Sequence, residues 1–259
     1  MTRKKNIRIV VEYDGTRHGG WQVQKEGPTI QGELQRAVEE ITGRKTLVVG
    51  SGRTDAGVHA EGQVANFHTT SLIPGRKWPE ALNAHLPPEI SVLSAEEAPL
   101  DFHAQYAATS KVYRYRILNR PVRSALDRDR SHLVKAPLDV ALMREAAGVL
   151  VGTHDFRAFG SEMSRKEKTV RTILSFDVKM SGSFVEFLVH GDGFLYNQVR
   201  AMVGTLIPVG MGKHPPDWVK EVLESKDRSH AGANVPARGL ALVAVRYDGP
   251  PRRRTELDA

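Results

Sequence analysis

Apolar residues recur along the chain with two spacings, one typical of strands and one typical of helices. The β-branched run at 7–13 predicts a strand. Apolar residues then return every three or four positions between Ile30 and Ile41, which predicts a helix that follows Thr29 and ends at Gly43. The other elements predicted before residue 105 are short strands at 47–49, 64–68 and 90–95 and a short helix at 79–85.

The second half of the chain has a similar succession of elements. A strand is predicted at 111–118, where Tyr113, Tyr115 and Ile117 share one face because side chains alternate along a strand. The other predicted elements are a helix at 138–150, a hairpin formed by 170–179 and 184–190, helices at 195–209 and from Trp218, and a last strand at 240–247. The succession predicts two α+β halves of like design, divided near 104–110.

The amino-acid composition favours a protein that binds a polyanion. The 259 residues have a net charge of +7 and a pI of about 9.7, which attracts nucleic acid, although small basic domains also occur for solubility alone. No apolar run approaches the roughly 18 to 20 residues of a membrane span, and the basic N-terminus has no apolar signal core, so we expect a cytoplasmic protein. The absence of cysteine excludes disulfides and thiolate catalysis.

The densest local signal is the glycine-rich segment GSGRTDAGVHA at 50–60. It follows a predicted buried strand, and functional loops collect at such sheet edges. Three interpretations compete: a tight turn in which Thr54 or Asp55 caps backbone N–H groups, a phosphate-binding loop, and a catalytic Asp55 held beside Arg53. The phosphate-binding loop is disfavoured because the segment lacks a Gly-Lys-Ser/Thr ending and places Asp55 where it would repel a pyrophosphate.

Other polar segments have less specific patterns. The ten histidines form neither an HExxH motif nor a His-x-His pair, so no metal site is predicted, and His154-Asp155 is interpreted as a turn. The polar, basic segment at 161–171 is consistent with a mobile loop against RNA and equally with a solvated surface. The same two interpretations are open for three arginines: Arg123, Arg128 and Arg130.

Several motifs in a fixed order resemble the tRNA pseudouridine synthase A family. The run GRTDAGVHA at 52–60 is similar to the catalytic signature of that family, and the resemblance extends over about 230 residues. The other motifs are YDGT at 13–16, GWQ at 20–22, TIQGELQRA at 29–37, FHA at 102–104, KVYRYRI at 111–117, GTHDFRAF at 152–159, YNQVRAMVGTL at 196–206 and ARGL at 237–240.

The resemblance implies an isomerase that converts uridine to pseudouridine in the anticodon stem-loop of tRNA, at positions 38, 39 and 40. Family members work as homodimers and need no cofactor. Asp55 is then the catalytic nucleophile with Arg53 beside it, and Tyr113 packs on the target base. The arginine of YNQVRAMVG, Arg200, is expected to pair with Asp55 and to hold its carboxylate ionised.

For two of these residues, Tyr113 and Arg200, the sequence also allows other roles or partners. Tyr113 lies on the same face of its strand as Tyr115, so either one fits the core and either one fits the base. Arg200 lies on a helix that is otherwise apolar and needs an acidic partner, since an unpaired buried charge costs several kcal/mol. That partner could also be Asp192 or Glu186.

The expected fold is α+β, with two RNA-recognition-like halves whose antiparallel or mixed sheets join into one extended sheet beside a basic cleft. The N-terminal half, 1–109, contains the catalytic loop, 110–250 forms the C-terminal half, and 251–259 is a basic tail without order. The main rival is a non-catalytic RNA-binding protein that uses the same sheets as a platform. An enzyme with a nucleotide cofactor is a third possibility, disfavoured by the glycine-rich loop.

Overall fold

A computed structural model of the chain describes residues 3–161 and 168–248. The predicted tail at 251–259 and most of the segment at 161–171 lie outside these residues. The chain divides into two compact units, of which the first comprises the chain up to Thr109 and again from Leu242, and the second runs from Ser110 to Ala241.

The strands and helices are numbered in chain order. The strands are β1 (Lys5–Tyr13), β2 (Val49–Gly50), β3 (His59–Thr69), β4 (Ile90–Ala98), β5 (Ser110–Asn119), β6 (His132–Val134), β7 (Gly152–Asp155), β8 (Val170–Ser181), β9 (Phe184–Gly191) and β10 (Leu240–Arg246). The helices are α1 (Ile30–Thr42), α2 (Trp78–Asn83), α3 (Val140–Gly148), α4 (Gln198–Gly210) and α5 (Trp218–Ser225).

The first unit has the β-α-β-β-α-β order of RNA-recognition and ferredoxin-like folds. β1 lies between β4 and β3 and is antiparallel to both, and β2 pairs with β3. From Leu242 onward β10 extends this sheet beyond β3. The connection between β2 and β3 is the glycine-rich loop, so the fold places this loop at one end of the central strands.

Helix α1 forms where the sequence predicts it. Thr29 caps its first turn by accepting a hydrogen bond from Gly32 N, and Gly43 follows its last turn with φ +67°, a conformation that favours glycine. Ile30, Leu34 and Val38 of its apolar stripe are fully buried. The alternate residues Ile7 and Ile9 of β1 are also fully buried, and they face this helical layer.

A segment at 99–107 covers the opposite face of the first unit's sheet. Asn6 on β1 donates hydrogen bonds to the carbonyl oxygens of Pro99 and Phe102, at 2.9 and 2.8 Å. Asn66 on β3 accepts one from Ala104 N at 2.9 Å. Because side chains alternate across a strand, these amides lie on the side away from the helices. This part of the chain therefore occupies the face on which RNA-recognition folds stack bases.

The second unit resembles the first once its short strands β6 and β7 are set aside. The remaining order β5-α3-β8-β9-α4 matches β1-α1-β2-β3-α2, and β9 lies between β5 and β8 as β3 lies between β1 and β2. β5, β9, β8 and β7 are antiparallel, whereas β6 pairs parallel to β5. The predicted α+β class with antiparallel and mixed sheets is confirmed.

Three local predictions were wrong. The segment His154-Asp155 is part of strand β7, paired with β8, and is not a turn. The helix predicted at 195–209 begins only at Gln198, because Asn197 has φ +66° and cannot continue an α-helix backward. The predicted strand at 47–49 is reduced to Val49–Gly50, and Leu47 is 67% exposed.

Candidate active site

The glycine-rich loop forms a tight turn around Asp55. Val58 N donates a hydrogen bond to the carbonyl oxygen of Asp55 at 3.1 Å, and Gly57 has φ +77°. Arg53 is exposed, Thr54 is buried and Asp55 is partly exposed. The loop therefore presents a carboxylate at the surface while the residue before it is anchored in the interior.

The beginning of the loop is held by Gln63 of β3, which is fully buried. Its side-chain oxygen accepts a hydrogen bond from Ser51 Oγ at 2.6 Å, and its side-chain nitrogen donates to Gly52 O at 3.0 Å. The buried side chain of Gln63 thus fixes two consecutive residues ahead of Asp55, because Gln63 itself belongs to strand β3.

The centre of the loop is held by Tyr13 at the end of β1. Tyr13 is 2% exposed, and its hydroxyl oxygen lies 2.8 Å from Oγ1 of Thr54, in a buried hydrogen bond. Burial raises the pKa of Tyr13 from 10.0 to about 12, although its hydrogen bonds with Thr54 and Gln63 lower the pKa in part. Tyr13 is therefore a neutral phenol at neutral pH.

The segment 15–21 packs its backbone directly against the loop. Trp21 N donates a hydrogen bond to Thr54 O at 3.0 Å. Gly20 has φ +95°, and a Cβ atom there would lie 2.5 Å from Thr54 O, whereas a Cβ on Gly15 would overlap the carbonyl of Val58. These two glycines are required because the two backbones approach more closely than any side chain allows.

The same segment is tied to the first turn of α1. Ile30 N donates to Gly20 O at 3.1 Å, and Gln31 N donates to Trp21 O at 3.0 Å. Two of the amide groups that a helix leaves unsatisfied at its start are thereby used. The loop, the segment 15–21 and α1 form one continuous hydrogen-bonded structure.

In the second unit, Tyr113 and Tyr115 occupy different environments. Tyr115 is fully buried and its hydroxyl donates to Pro236 O at 2.8 Å, as expected of a core tyrosine. Tyr113 is only partly buried, and its ring packs nearly perpendicular to the Phe194 ring, with the two ring centroids 5.1 Å apart. Of the two, Tyr113 is the one whose ring a ligand could reach.

Arg200 lies in the first turn of α4 and is partly buried. Its Nε donates to Val235 O at 2.8 Å and its Nη1 donates to Asn197 Oδ1 at 2.7 Å. These two bonds fix the plane of the guanidinium group. Its expected pairing with Asp55 stays a prediction.

Sequence reasoning missed the role of the segment 13–21. The motifs YDGT and GWQ were noticed only for their resemblance, since nothing in their spacing shows that they contact residues 33 to 43 positions later. The glycines at 15 and 20 were the available signal, because glycine marks a position of close backbone approach.

Buried tyrosines predict a loss of stability at alkaline pH. Burial raises the pKa of Tyr13 to about 12 and also raises the pKa values of Tyr115 and Tyr247. The unfolded chain releases these phenolic protons from about pH 10, so the free energy of unfolding should fall above that pH by about 1.4 kcal/mol per unit for each tyrosine. Denaturant unfolding between about pH 8 and pH 11 measures this. A free energy of unfolding that stays constant above pH 10 would contradict it.

Comparison with known proteins places the chain in a family. The family model described as tRNA pseudouridine synthase matches residues 9–107 and 146–248. The tRNA pseudouridine synthase A 2 of Clostridium tetani is 47% identical over 246 residues, which cover 94% of this chain and 99% of that protein. The tRNA pseudouridine synthase A of Acetivibrio thermocellus is 46% identical over 243 residues, covering 94% and 100%.

These matches define an enzyme, and its class is that of the isomerases. The chain belongs to the tRNA pseudouridine synthase family. A chain in the crystal structure of a Cbf5-Nop10-Gar1 complex is 13% identical with a TM-score of 0.33, covering 77% of this chain and 54% of that one. The family assignment rests on the sequence matches and not on this structure.

The described residues contain neither a candidate membrane span nor a cluster of candidate metal ligands. No described helix is long and apolar enough to cross a membrane. Among the same residues, no group of three or more histidine, aspartate or glutamate side chains is arranged to hold a metal ion.

Proposed function

We propose that the protein isomerises uridine to pseudouridine at positions 38, 39 and 40 in the anticodon stem-loop of tRNA, with Asp55 as the nucleophile. The proposal includes a homodimer in the cytoplasm that uses no cofactor. The observation behind it is an acidic side chain that is partly exposed while the residue before it, Thr54, is anchored in the first unit.

The proposed reaction needs a carboxylate, which this loop supplies. The glycosidic bond between C1′ and N1 breaks, uracil turns, and a new bond forms between C1′ and C5. N1 gains a proton and C5 loses its hydrogen, so no group is imported and no redox change occurs. A carboxylate serves as the nucleophile or as the proton acceptor. The target base has to leave the helical stack before the carboxylate can reach it.

The covered sheet face of the first unit disfavours the main alternative function, that of a protein that binds RNA on its sheets without catalysis. RNA-recognition domains stack bases on an open sheet face. In the first unit, the segment 99–107 occupies this face, and Arg8 packs over the rings of Phe102 and Tyr247 at 5.6 and 4.6 Å from their centroids. The loop with Asp55, by contrast, is partly exposed.

Mapping of pseudouridine in tRNA tests the proposal directly. Unmodified tRNA that contains uridine at positions 38, 39 and 40 is incubated with the purified full-length protein, and pseudouridine is then located by sequencing of the chemically treated RNA. We expect pseudouridine at these positions and at no uridine outside the anticodon stem-loop. Modification elsewhere would refute the assigned positions, and binding without modification would favour the rival.

Substitutions of Tyr113 test its role at the target base. Tyr113→Phe should retain tRNA affinity, whereas Tyr113→Ala should weaken it by about 1–3 kcal/mol, the contribution of stacking between a base and an aromatic ring. Titration of tRNA by filter binding measures the affinity. A Tyr113→Phe variant that binds but reacts slowly would give the hydroxyl a part in proton transfer. A Tyr113→Ala variant that binds and reacts normally but melts early would make Tyr113 a core residue.

A further inference from the structure

We propose that Tyr13 is a positioning residue for the reaction, because its hydroxyl group holds Thr54 and thereby fixes the backbone that presents Asp55. This inference rests on the proposed role of Asp55. It concerns a residue outside the catalytic loop that itself does not touch the substrate, since Tyr13 is only 2% exposed.

The contact between Tyr13 and Thr54 is short and buried. The two hydroxyl oxygens are 2.8 Å apart, and Thr54 as a whole is 7% exposed. A buried hydroxyl that loses its partner incurs a desolvation penalty, because water cannot replace the lost hydrogen bond. Without the phenol oxygen, the Thr54 hydroxyl would reach a lower free energy by turning toward solvent, where water can bond to it. Because Asp55 follows Thr54 directly in the chain, its position would change as well.

Thr54 is attached to the fold at two points. Its carbonyl oxygen accepts the hydrogen bond from Trp21 N at 3.0 Å, and its side chain bonds to Tyr13 at 2.8 Å. With the hydrogen bond from Trp21 N alone, the Thr54 peptide could rotate about that bond. The hydrogen bond between the Tyr13 and Thr54 hydroxyl groups blocks this rotation. Rotation matters because a displacement of about 1 Å at a reacting group can cost about a hundredfold in rate.

The hydroxyl of Tyr13 acts by position and not by titration. Burial raises the pKa of Tyr13 to about 12, so the phenol stays neutral over the pH range in which the enzyme is assayed. The effect of removing the hydroxyl should therefore be the same across that range. A role in proton transfer would instead change the pH profile.

The test compares Tyr13→Phe, Thr54→Val and the double variant in steady-state kinetics on tRNA. Each single variant should lower kcat about tenfold and change KM by less than about twofold, because the attachment acts on the orientation of Asp55 and not on RNA binding. The double variant should be no slower than the slower single variant, since both remove the same bond. Thr54→Ser, which keeps the hydroxyl, should recover at least about half of the wild-type kcat.

A control variant separates positioning from stability. Asn83 in the same unit bridges the backbone of Val92, accepting from its N–H at 2.7 Å and donating to its carbonyl at 3.0 Å. Asn83→Ala should lower the melting temperature as much as Tyr13→Phe while kcat stays at the wild-type value. The ratio of wild-type to Tyr13→Phe kcat should also be constant between about pH 6 and pH 9.

Several results would overturn the inference. A wild-type kcat for Tyr13→Phe, single-variant losses that multiply in the double variant, or an equal loss in Asn83→Ala would each do so. If Tyr13→Phe does not fold, the difference between Thr54→Val and Thr54→Ser decides. An inactive Asp55→Asn together with a fully active Tyr13→Phe would refute this inference alone, whereas an active Asp55→Asn would refute the proposed function itself.

Discussion

Replacing Asp55 by asparagine should lower the rate of pseudouridine formation by at least about four orders of magnitude, as expected when the nucleophile of an enzyme is removed. The amide has nearly the same shape as the carboxylate, but it is neither nucleophilic nor basic at neutral pH. Because Asp55 closes its turn through the backbone carbonyl, which the substitution leaves in place, the fold and the affinity for tRNA should change little.

Release of tritium from uridine labelled at C5 is the appropriate measurement, since C5 loses its hydrogen when it becomes the glycosidic carbon. Asp101→Asn is the matched control, because Asp101 is an exposed aspartate of the same unit that lies outside the glycine-rich loop. It should release tritium at the wild-type rate. Equal release by Asp55→Asn and the wild type would remove Asp55 from the chemistry.

Arg200→Lys should lower kcat about a hundredfold, a loss similar to that of one preorganised charge-stabilising group. The substitution keeps the positive charge but removes the planar guanidinium, whose orientation the hydrogen bonds to Val235 and Asn197 now fix. A lysine ammonium cannot reproduce both bonds and still present two parallel donors to a carboxylate such as Asp55. The free energy of unfolding should fall by only about 1 kcal/mol.

Arg228 provides a closely matched control in the same unit. It too donates to a backbone carbonyl, Ala231 O at 3.3 Å, and to an asparagine side chain, Asn234 Oδ1 at 2.9 Å. Arg228→Lys should reduce stability to a similar extent and leave kcat unchanged. Full activity in Arg200→Lys, or an equal fall of kcat in both variants, would place Arg200 outside the reaction.

Much of the fold could be predicted from the sequence, because its elements are marked by local patterns. Helix α1 has a capping threonine, an apolar stripe and a terminal glycine, and it forms within these limits. The hairpin of β8 and β9 is likewise marked by alternating residues on both sides of Gly182. Strand β7 was missed since four residues such as GTHD have no strand pattern of their own and pair only because β8 lies beside them.

The candidate site was predictable only in part. The glycine-rich loop stands out locally, so Asp55 could be named as a candidate from the sequence. The hydrogen bonds that hold it, from Tyr13 and Trp21 to Thr54, join residues more than 30 positions apart. The spacing of apolar and polar residues along the chain cannot predict such contacts, because they depend on the pairing of β1 with β3. Which of Tyr113 and Tyr115 is fully buried also required the structure, since both share one face of a strand.

The first compact unit is not one continuous stretch of chain, because residues from Leu242 onward belong to it. Gly62 of β3 lies so close to the carbonyl of Val243 that a Cβ atom there would stand 2.5 Å from its oxygen, and the hydroxyl of Tyr247 donates to Ala104 O at 2.8 Å. A fragment that stops at Thr109 would lack these partners and would expose the part of the β3 edge that β2 does not pair with, and unpaired strand edges are a known cause of aggregation. During synthesis, the unit that contains Asp55 is therefore completed only after the residues from Leu242 onward have been made.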